Sequence, residues 1–294
     1  MLNNMHLIVS VLKRQDTDAV VLGGSRCIGL QDAFSDIDIC IYYNNMVDIH
    51  KLNEALSEID DEHAKDILLP LNSWGVWQNS GGVCILGGKE YDITLRNLSF
   101  VEQVINECIS GNIYCMHSPA YPYGYCNSYL IGEMDNCHTL YAPTNRLSYL
   151  QGRITENKDR ICNSIIRSFL EGAIFQCICG LKAELTNDIP YRNAVLKNGA
   201  FSLLNAYAAQ KKVLLFHNKR ADQRVMASYR SEKASVLLDN IQYVVRVWQG
   251  ELDSQNDVGY VMGKIILGEA ERELPNFRTP GNYRLLQILV TSRK

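Results

Sequence analysis

Apolar positions follow two rhythms along the 294-residue chain, and the change-over falls near residue 145. Leu2, Met5, Ile8, Val9 and Leu12 recur at helical spacing, which predicts a first helix from Leu2 to Arg14. Ala19-Val20-Val21-Leu22 is a short β-rich run that stops at Gly23-Gly24. Asp36 to Tyr43 alternates polar and apolar positions and predicts a second strand, and residues 48–60 predict a helix. Val76–Gln78 and Val83–Leu86 flank Asn-Ser-Gly-Gly, a hairpin signal. A second Gly-Gly turn, Gly87-Gly88, leads into a strand from Glu90 to Arg96. Ser99-Phe100-Val101-Glu102 has the form of a capping box, and Gly111 is the expected stop of the helix it opens.

From His117 to Pro143 the chain is rich in Tyr, Pro, Gly and Asn and reads as a linking segment with short strands. Beyond Asn157 the period becomes helical, with a long helix through Ile161, Ile165, Phe169, Ala173 and Gln176. Further helices are expected near 192–210, 230–249 and 258–272. The expected fold class is α+β. A mixed sheet with flanking helices occupies residues 1–112, a link spans 113–145, and an all-helical domain fills 146–294.

Charge sharpens that division. Residues 1–145 hold 7 Lys+Arg against 18 Asp+Glu, and residues 146–294 hold 22 against 14, so a net −3 conceals halves of −11 and +8. An acidic half suits metal ions or cationic substrates, and a basic half suits phosphates. No apolar run reaches the ~18–20 residues of a bilayer span, and Met1–Lys13 lacks a secretory layout, so no membrane is expected and a cytoplasmic location is. The ten cysteines are scattered and read as free buried thiols; Cys115, His117, Cys126, Cys137 and His138 fit no common zinc spacing.

One constellation carries chemistry. Gly23-Gly24-Ser25-Arg26 follows the first strand, where glycine lets an anion approach the main chain, Ser25 offers a hydroxyl, and Arg26 can bond phosphate. Asp36 and Asp38 are one residue apart on a strand, so both carboxylates face the same way and repel unless a cation lies between them. An all-oxygen donor set favours a hard cation such as Mg²⁺. Asp92, polar within the strand Glu90-Tyr91-Asp92-Ile93-Thr94-Leu95, can supply a third carboxylate, as metal ligand or proton acceptor.

Gly24-Ser25, Asp36-x-Asp38 and the later strand Asp92 together resemble the signature of the polymerase-beta-type nucleotidyltransferase superfamily. The helical second half resembles the bacterial branch that includes aminoglycoside and lincosamide nucleotidyltransferases. The resemblance implies that residues 1–112 are the catalytic domain and that Gly23, Gly24, Ser25 and Arg26 bind a nucleoside triphosphate, with ATP expected. It implies that Asp36 and Asp38 bind Mg²⁺, and that Asp92 is the third ligand or the general base that takes a proton from an acceptor hydroxyl. Glu133, in the linking segment, can reach the site as an alternative base, with a surface loop acid the default. Small members often carry a second Arg two residues beyond the Arg26 position; here that place is Ile28. The implied reaction moves a nucleoside monophosphate to a hydroxylated small molecule, an antibiotic in the resistance enzymes, and releases pyrophosphate. A protein or RNA acceptor, and a nucleotide-binding regulatory module without turnover, are the alternatives.

Other residues read more plainly. Trp74 and Trp77 can face a ligand, with core burial the default, and Tyr121, Tyr123 and Tyr125 can stack on a base or pack a loop. Lys182, Arg192 and Lys197 can reach phosphates from the helical half. Lys211-Lys212 and Lys219-Arg220 are too few for a nucleic-acid stripe on their own, so nucleic acid is a disfavoured partner and RNA stays among the alternative acceptors. Helical surfaces of this kind leave room for a homodimer.

Overall fold

The structure is a computed structural model, and it describes residues 2–13, 17–44, 47–75, 77–118, 121–232, 235–273 and 281–292. The fold class is α+β: a five-stranded mixed sheet with helices, followed by a helical C-terminal region. The chain forms two compact units that interleave in sequence. One comprises residues 1–107 and 130–157, the other 108–129 and 158–294.

The first unit opens with helix α1 (Leu2–Leu12), strand β1 (Ala19–Leu22) and one helical turn, α2 (Gly24–Cys27). Strand β2 (Ile37–Tyr43), helix α3 (Ile49–Ser57), and strands β3 (Ser80–Ile85) and β4 (Glu90–Asn97) follow. Helix α4 is Leu98–Ser110. Helix α5 (Asn127–Asn136), strand β7 (His138–Tyr141) and helix α6 (Arg146–Glu156) come later in the chain. The sheet order is β3-β4-β2-β1-β7, parallel between β2 and β4 and antiparallel elsewhere.

Period-2 alternation decides what each sheet face does. Ile37, Ile39 and Ile41 of β2 with Tyr91, Ile93 and Leu95 of β4 point into one core, closed by Ile8, Val11 and Leu12 of α1 and Leu52 and Leu56 of α3. Each such side chain contributes roughly 1.5–3 kcal/mol by leaving water. The polar members of the alternation, Asp38 on β2 and Asp92 and Thr94 on β4, are left on the opposite face.

Several expectations shift in the structure. Asn79-Ser80-Gly81-Gly82 is not a hairpin turn; Ser80–Gly82 open strand β3, and the hairpin turns instead at Gly87 and Gly88, whose φ angles are +60° and +66°. Gly81 and Gly82 serve close approach. A Cβ on Gly81 would stand 2.5 Å from Trp74 Cη2, and one on Gly82 would collide with the Ile67 carbonyl on the other face. Val76, in the first arm of the expected hairpin, lies outside the described residues, as does Arg14 at the end of the first predicted helix. The capping box is displaced as well: helix α4 starts at Leu98, the Phe100 amide donates to Asn97 Oδ1 at 3.0 Å, and the Ser99 hydroxyl donates to Asn44 Oδ1. The segment expected to link contains a ten-residue helix, α5, with Tyr129, Leu130, Ile131 and Met134 fully buried. Burial on more than one side erases the amphipathic stripe that would have marked it. Strand β7 also rises from this segment and pairs with β1 as an outer strand of the sheet.

The second unit holds the hairpin β5 (Cys115–Ser118) and β6 (Tyr121–Cys126) and helices α7 (Lys158–Leu185) to α12 (Asn282–Thr291). Cys115 and Cys126 are cross-strand partners joined by a disulfide, so two of the expected free thiols are paired. The register brings the two strands together there, and sequence spacing alone does not reveal it. Helix α7 packs along α8 (Ile189–Gln210), with Phe169 edge-on to Phe201 and Phe201 stacked on Trp248 at 5.2 Å. Among the described residues α7 is the one helix long and apolar enough to cross a bilayer by length and composition, and over half of its apolar window is buried inside the protein. Arg192, one of the residues that could reach phosphates from the helical half, is fully buried and donates to the carbonyls of Asp253 and Gln255 at 2.5 and 2.9 Å. Lys197 pairs with Asp253 at 2.9 Å.

Candidate active site

The site is built where β1 gives way to α2 and returns as β2. The Gly23 amide donates to the Asp38 carbonyl at 2.8 Å, which pins the turn to β2. Gly24 then takes φ +63°, a left-handed conformation that only glycine adopts without strain. Its missing side chain matters as much, because a Cβ there would overlap the Oδ2 and Cγ of Asp38. The main chain at Gly24 therefore lies directly against a carboxylate of the site. Ser25 follows, with its carbonyl accepting from the Leu30 amide at 3.1 Å. Its hydroxyl is buried and has no hydrogen-bond partner among the described residues, an arrangement that costs about 1–3 kcal/mol unless a ligand satisfies it. Arg26 turns back along the loop, donating from Nε to the Asp36 carbonyl at 3.0 Å and from Nη2 to the Ser35 carbonyl at 2.9 Å.

Parallel pairing of β2 and β4 sets Asp38 directly beside Asp92, since those two are register partners. Asp36, one residue before β2, shares their face by alternation. Carboxylate oxygens of Asp36, Asp38 and Asp92 all lie within 4.8 Å of one another. None of the three is buried. Burial, and next the charge of Asp36, push the Asp92 carboxyl above its ordinary range; the Arg96 guanidinium opposes the rise. Three like-charged groups held this close fit a divalent hard cation, because the donor set is oxygen throughout and a cation removes the repulsion. The unpartnered Ser25 hydroxyl and the Gly24 main chain next to Asp38 fit a phosphate chain beside that cation.

Behind Asp92 on the same face of β4 lies Arg96, almost wholly buried, with its Nη2 2.7 Å from Glu133 Oε2 on α5. Glu133 is thus not one of the clustered three; it is paired with Arg96 and acts on Asp92 through its charge. Gly23, Gly24, Ser25, Asp36, Asp38 and Asp92 are gathered at one place. Arg26 is gathered too, with its guanidinium spent on main-chain carbonyls. Trp77 is buried against Phe100, and Tyr125 is buried against Tyr129. The side chains of Tyr121 and Tyr123 lie outside the described residues. Trp74 and Val83 stand exposed on the carboxylate-bearing face; for Trp74 this departs from the default of core burial, and Val83 is passed over in the sequence reading. The one signal that could find them is the Gly81-Gly82 pair inside a strand, which marks close approach of something bulky.

Residues 6–74 match the family model of the nucleotidyltransferase domain, a span that holds the Gly23–Arg26 loop, Asp36 and Asp38 and ends before Asp92. That match supports transfer of a nucleotide as the general chemistry of the domain. Among curated proteins none matches the chain. Among solved structures, a nucleotidyltransferase-like protein from Exiguobacterium sibiricum 255-15 aligns over 98% of this chain and 89% of its own, at 10% identity and a TM-score of 0.39. So loose a superposition says nothing about the site.

Proposed function

We propose that the chain is a Mg²⁺-dependent nucleotidyltransferase that moves a nucleoside monophosphate, with ATP as donor, onto a hydroxyl of a small molecule of the antibiotic type. The observation that carries this reading is the convergence of the Asp36, Asp38 and Asp92 carboxylates beside the unpartnered hydroxyl of Ser25. Asp36 and Asp38 would hold the cation, with Asp92 as a third ligand. A bound Mg²⁺ there would neutralise phosphate charge and withdraw electrons from the phosphorus under attack. Ser25 donates its hydroxyl proton to a phosphate oxygen, and the Gly24 main chain lets the phosphates come close. Arg26 keeps the 35–36 segment in place, so that Asp36 and Asp38 face the phosphates. Asp92 accepts the proton of the acceptor hydroxyl, a role its place beside Asp38 at the site allows. The acceptor oxygen bonds to the α-phosphorus as the bond from that phosphorus to its bridging oxygen breaks. Pyrophosphate leaves with that electron pair. Positioning and charge neutralisation supply most of the rate.

The test is pyrophosphate release with Mg²⁺ and each of the four nucleoside triphosphates, against aminoglycosides, lincosamides, bulk tRNA and lysate protein. The reading expects release that depends on one small acceptor, is greatest with ATP, and is abolished in Asp36→Asn. Release that follows tRNA or protein instead would replace the acceptor class. Triphosphate binding without release from any acceptor would make the chain a regulatory module.

A further inference from the structure

Beside Asp92 the sheet carries an apolar platform that the reaction as described leaves unused. Strand β3 pairs antiparallel with β4, so that Val83 is opposite Asp92 and Gly81 is opposite Thr94. Directly paired residues share a face, which puts Val83 and Gly81 on the carboxylate side of the sheet. The other side of β3 belongs to the core, through Cys84 and the contact of Gly82 with Ile67. Gly81 has no side chain, and the indole of Trp74 fills the space that one would take. The turn bearing Trp74 is fixed to β3 at several points. The Leu69 amide donates to the Gly81 carbonyl at 3.1 Å, the Asn72 amide to the Asn79 carbonyl, and the Ser80 hydroxyl to the Leu69 carbonyl. Trp74 nonetheless remains 40% exposed and Val83 46%. An indole packed over a strand glycine, and left partly open to water, has surface to offer a ligand.

We infer that Trp74 and Val83 form the acceptor platform of the transfer reaction, and that the acceptor is a cyclic hydroxylated molecule whose ring lies on the indole while a hydroxyl reaches Asp92. The inference rests on the nucleotidyl-transfer reading above. Strand spacing and rise put the Gly81 position about 8 Å from Asp92 along the diagonal of the sheet. That is the span of one six-membered ring with an exocyclic hydroxyl at one end. An extended polyol would make the same hydrogen bond to Asp92 and gain nothing from the indole. Stacking on an aromatic face rewards a rigid ring, at about tenfold in affinity. The nucleobase is the other flat group in the reaction. Val83 directly across from Asp92 favours the acceptor, because the proton acceptor must touch the incoming hydroxyl.

The experiment uses the full chain with ¹⁵N-labelled tryptophan, Mg²⁺ and a non-hydrolysable ATP analogue, and follows the three indole N–H signals. The Trp74 signal is identified by its loss in Trp74→Phe. Methyl glucoside, glucosamine, an aminoglycoside and a lincosamide are the ring probes; sorbitol and glycerol are the open-chain controls. The platform predicts a saturable shift of the Trp74 signal with at least one ring probe and none with the open chains. It also predicts affinity for that probe about tenfold weaker in Trp74→Ala, with the affinity for the ATP analogue unchanged. Three outcomes overturn it: a Trp74 signal unmoved by every ring probe, equal response to open-chain polyols, or a shift produced by the ATP analogue alone with weaker analogue binding in Trp74→Ala. Failure of the ATP analogue to bind the wild-type chain at all would instead overturn the transfer reading, and the platform with it.

Discussion

Replacing Gly24 by alanine tests how tightly the loop and the carboxylates are built together, with Gly23→Ala as the matched control. At Gly24 the new Cβ would overlap Oδ2 and Cγ of Asp38 and stand 3.0 Å from its Cβ, while the backbone sits at φ +63°. The left-handed conformation costs an alanine roughly 1–2 kcal/mol. For a chain of this size that is a fall in Tm of about 2–8 °C. The overlap is the larger matter for function, because Asp38 must swing by on the order of 1 Å or more to relieve it. A misplacement of that size costs about 100-fold in rate. At Gly23 the backbone is extended, with φ −121°, and a Cβ would meet Asp38 Cβ at 3.7 Å, an ordinary contact. Gly23→Ala should therefore keep its Tm, or gain a little from a stiffer unfolded chain, and keep activity within about twofold. The assays are thermal unfolding and Mg²⁺-dependent pyrophosphate release, with calorimetric titration of a non-hydrolysable ATP analogue as a readout that needs no acceptor. Full activity in Gly24→Ala, or an equal loss in both variants, would refute the claim that the main chain at Gly24 is shaped around Asp38.

The remaining predictions concern the support around that site and the second unit. Arg96→Ala should destabilise the protein by about 3–5 kcal/mol in denaturant unfolding, since it strands Glu133 without its partner, and Arg96→Met with Glu133→Leu should recover most of that loss. Alkylation of the denatured, unreduced protein should add eight groups and alkylation after reduction ten; the Cys115–Cys126 link, closing a short loop, should be worth about 3 kcal/mol in chain entropy. His217 is held neutral, chiefly by burial and then by the charges of Arg224 and Lys219, which push its pKa down to about 4. An unfolded chain takes up that proton near pH 6.5, so stability is complete above pH 6.5 and falls by up to about 3 kcal/mol towards pH 4. Urea titrations at stepped pH should show that slope in the wild type and lose it in His217→Phe.

Much of the first unit is legible in the amino-acid pattern itself. The run Val20-Val21-Leu22 ending in Gly-Gly-Ser, and the alternation through Asp36-Ile37-Asp38-Ile39, announce a strand, a tight turn and a strand with two carboxylates on one face. Asp92 stands out for the same reason, as a carboxylate on the polar phase of the alternation from Glu90 to Leu95. Register is what the sequence does not carry: nothing in it says that β2 and β4 run parallel with Asp38 beside Asp92, since parallel neighbours are joined through distant chain. Gly81-Gly82 is ambiguous for a physical reason, as glycine serves both a turn and a close approach, and only Trp74 and Ile67 decide between them. Arg26 has the position of a phosphate ligand in the motif, yet the carbonyls of Ser35 and Asp36 lie nearer at hand. Helix α5 is hidden because its residues are buried on several sides and leave no polar stripe to read.

The claim on which the rest stands is that Asp36, Asp38 and Asp92 hold a divalent cation next to a triphosphate on the Ser25 loop. Mn²⁺ binding followed by its paramagnetic resonance signal tests it most directly, in wild type, Asp38→Asn and Ser25→Ala, with and without a non-hydrolysable ATP analogue. The account predicts saturable Mn²⁺ binding in the wild type that tightens when the analogue is added. It predicts binding at least tenfold weaker in Asp38→Asn, and retained cation binding with a weakened response to the analogue in Ser25→Ala. Equal Mn²⁺ affinity in wild type and Asp38→Asn would contradict it.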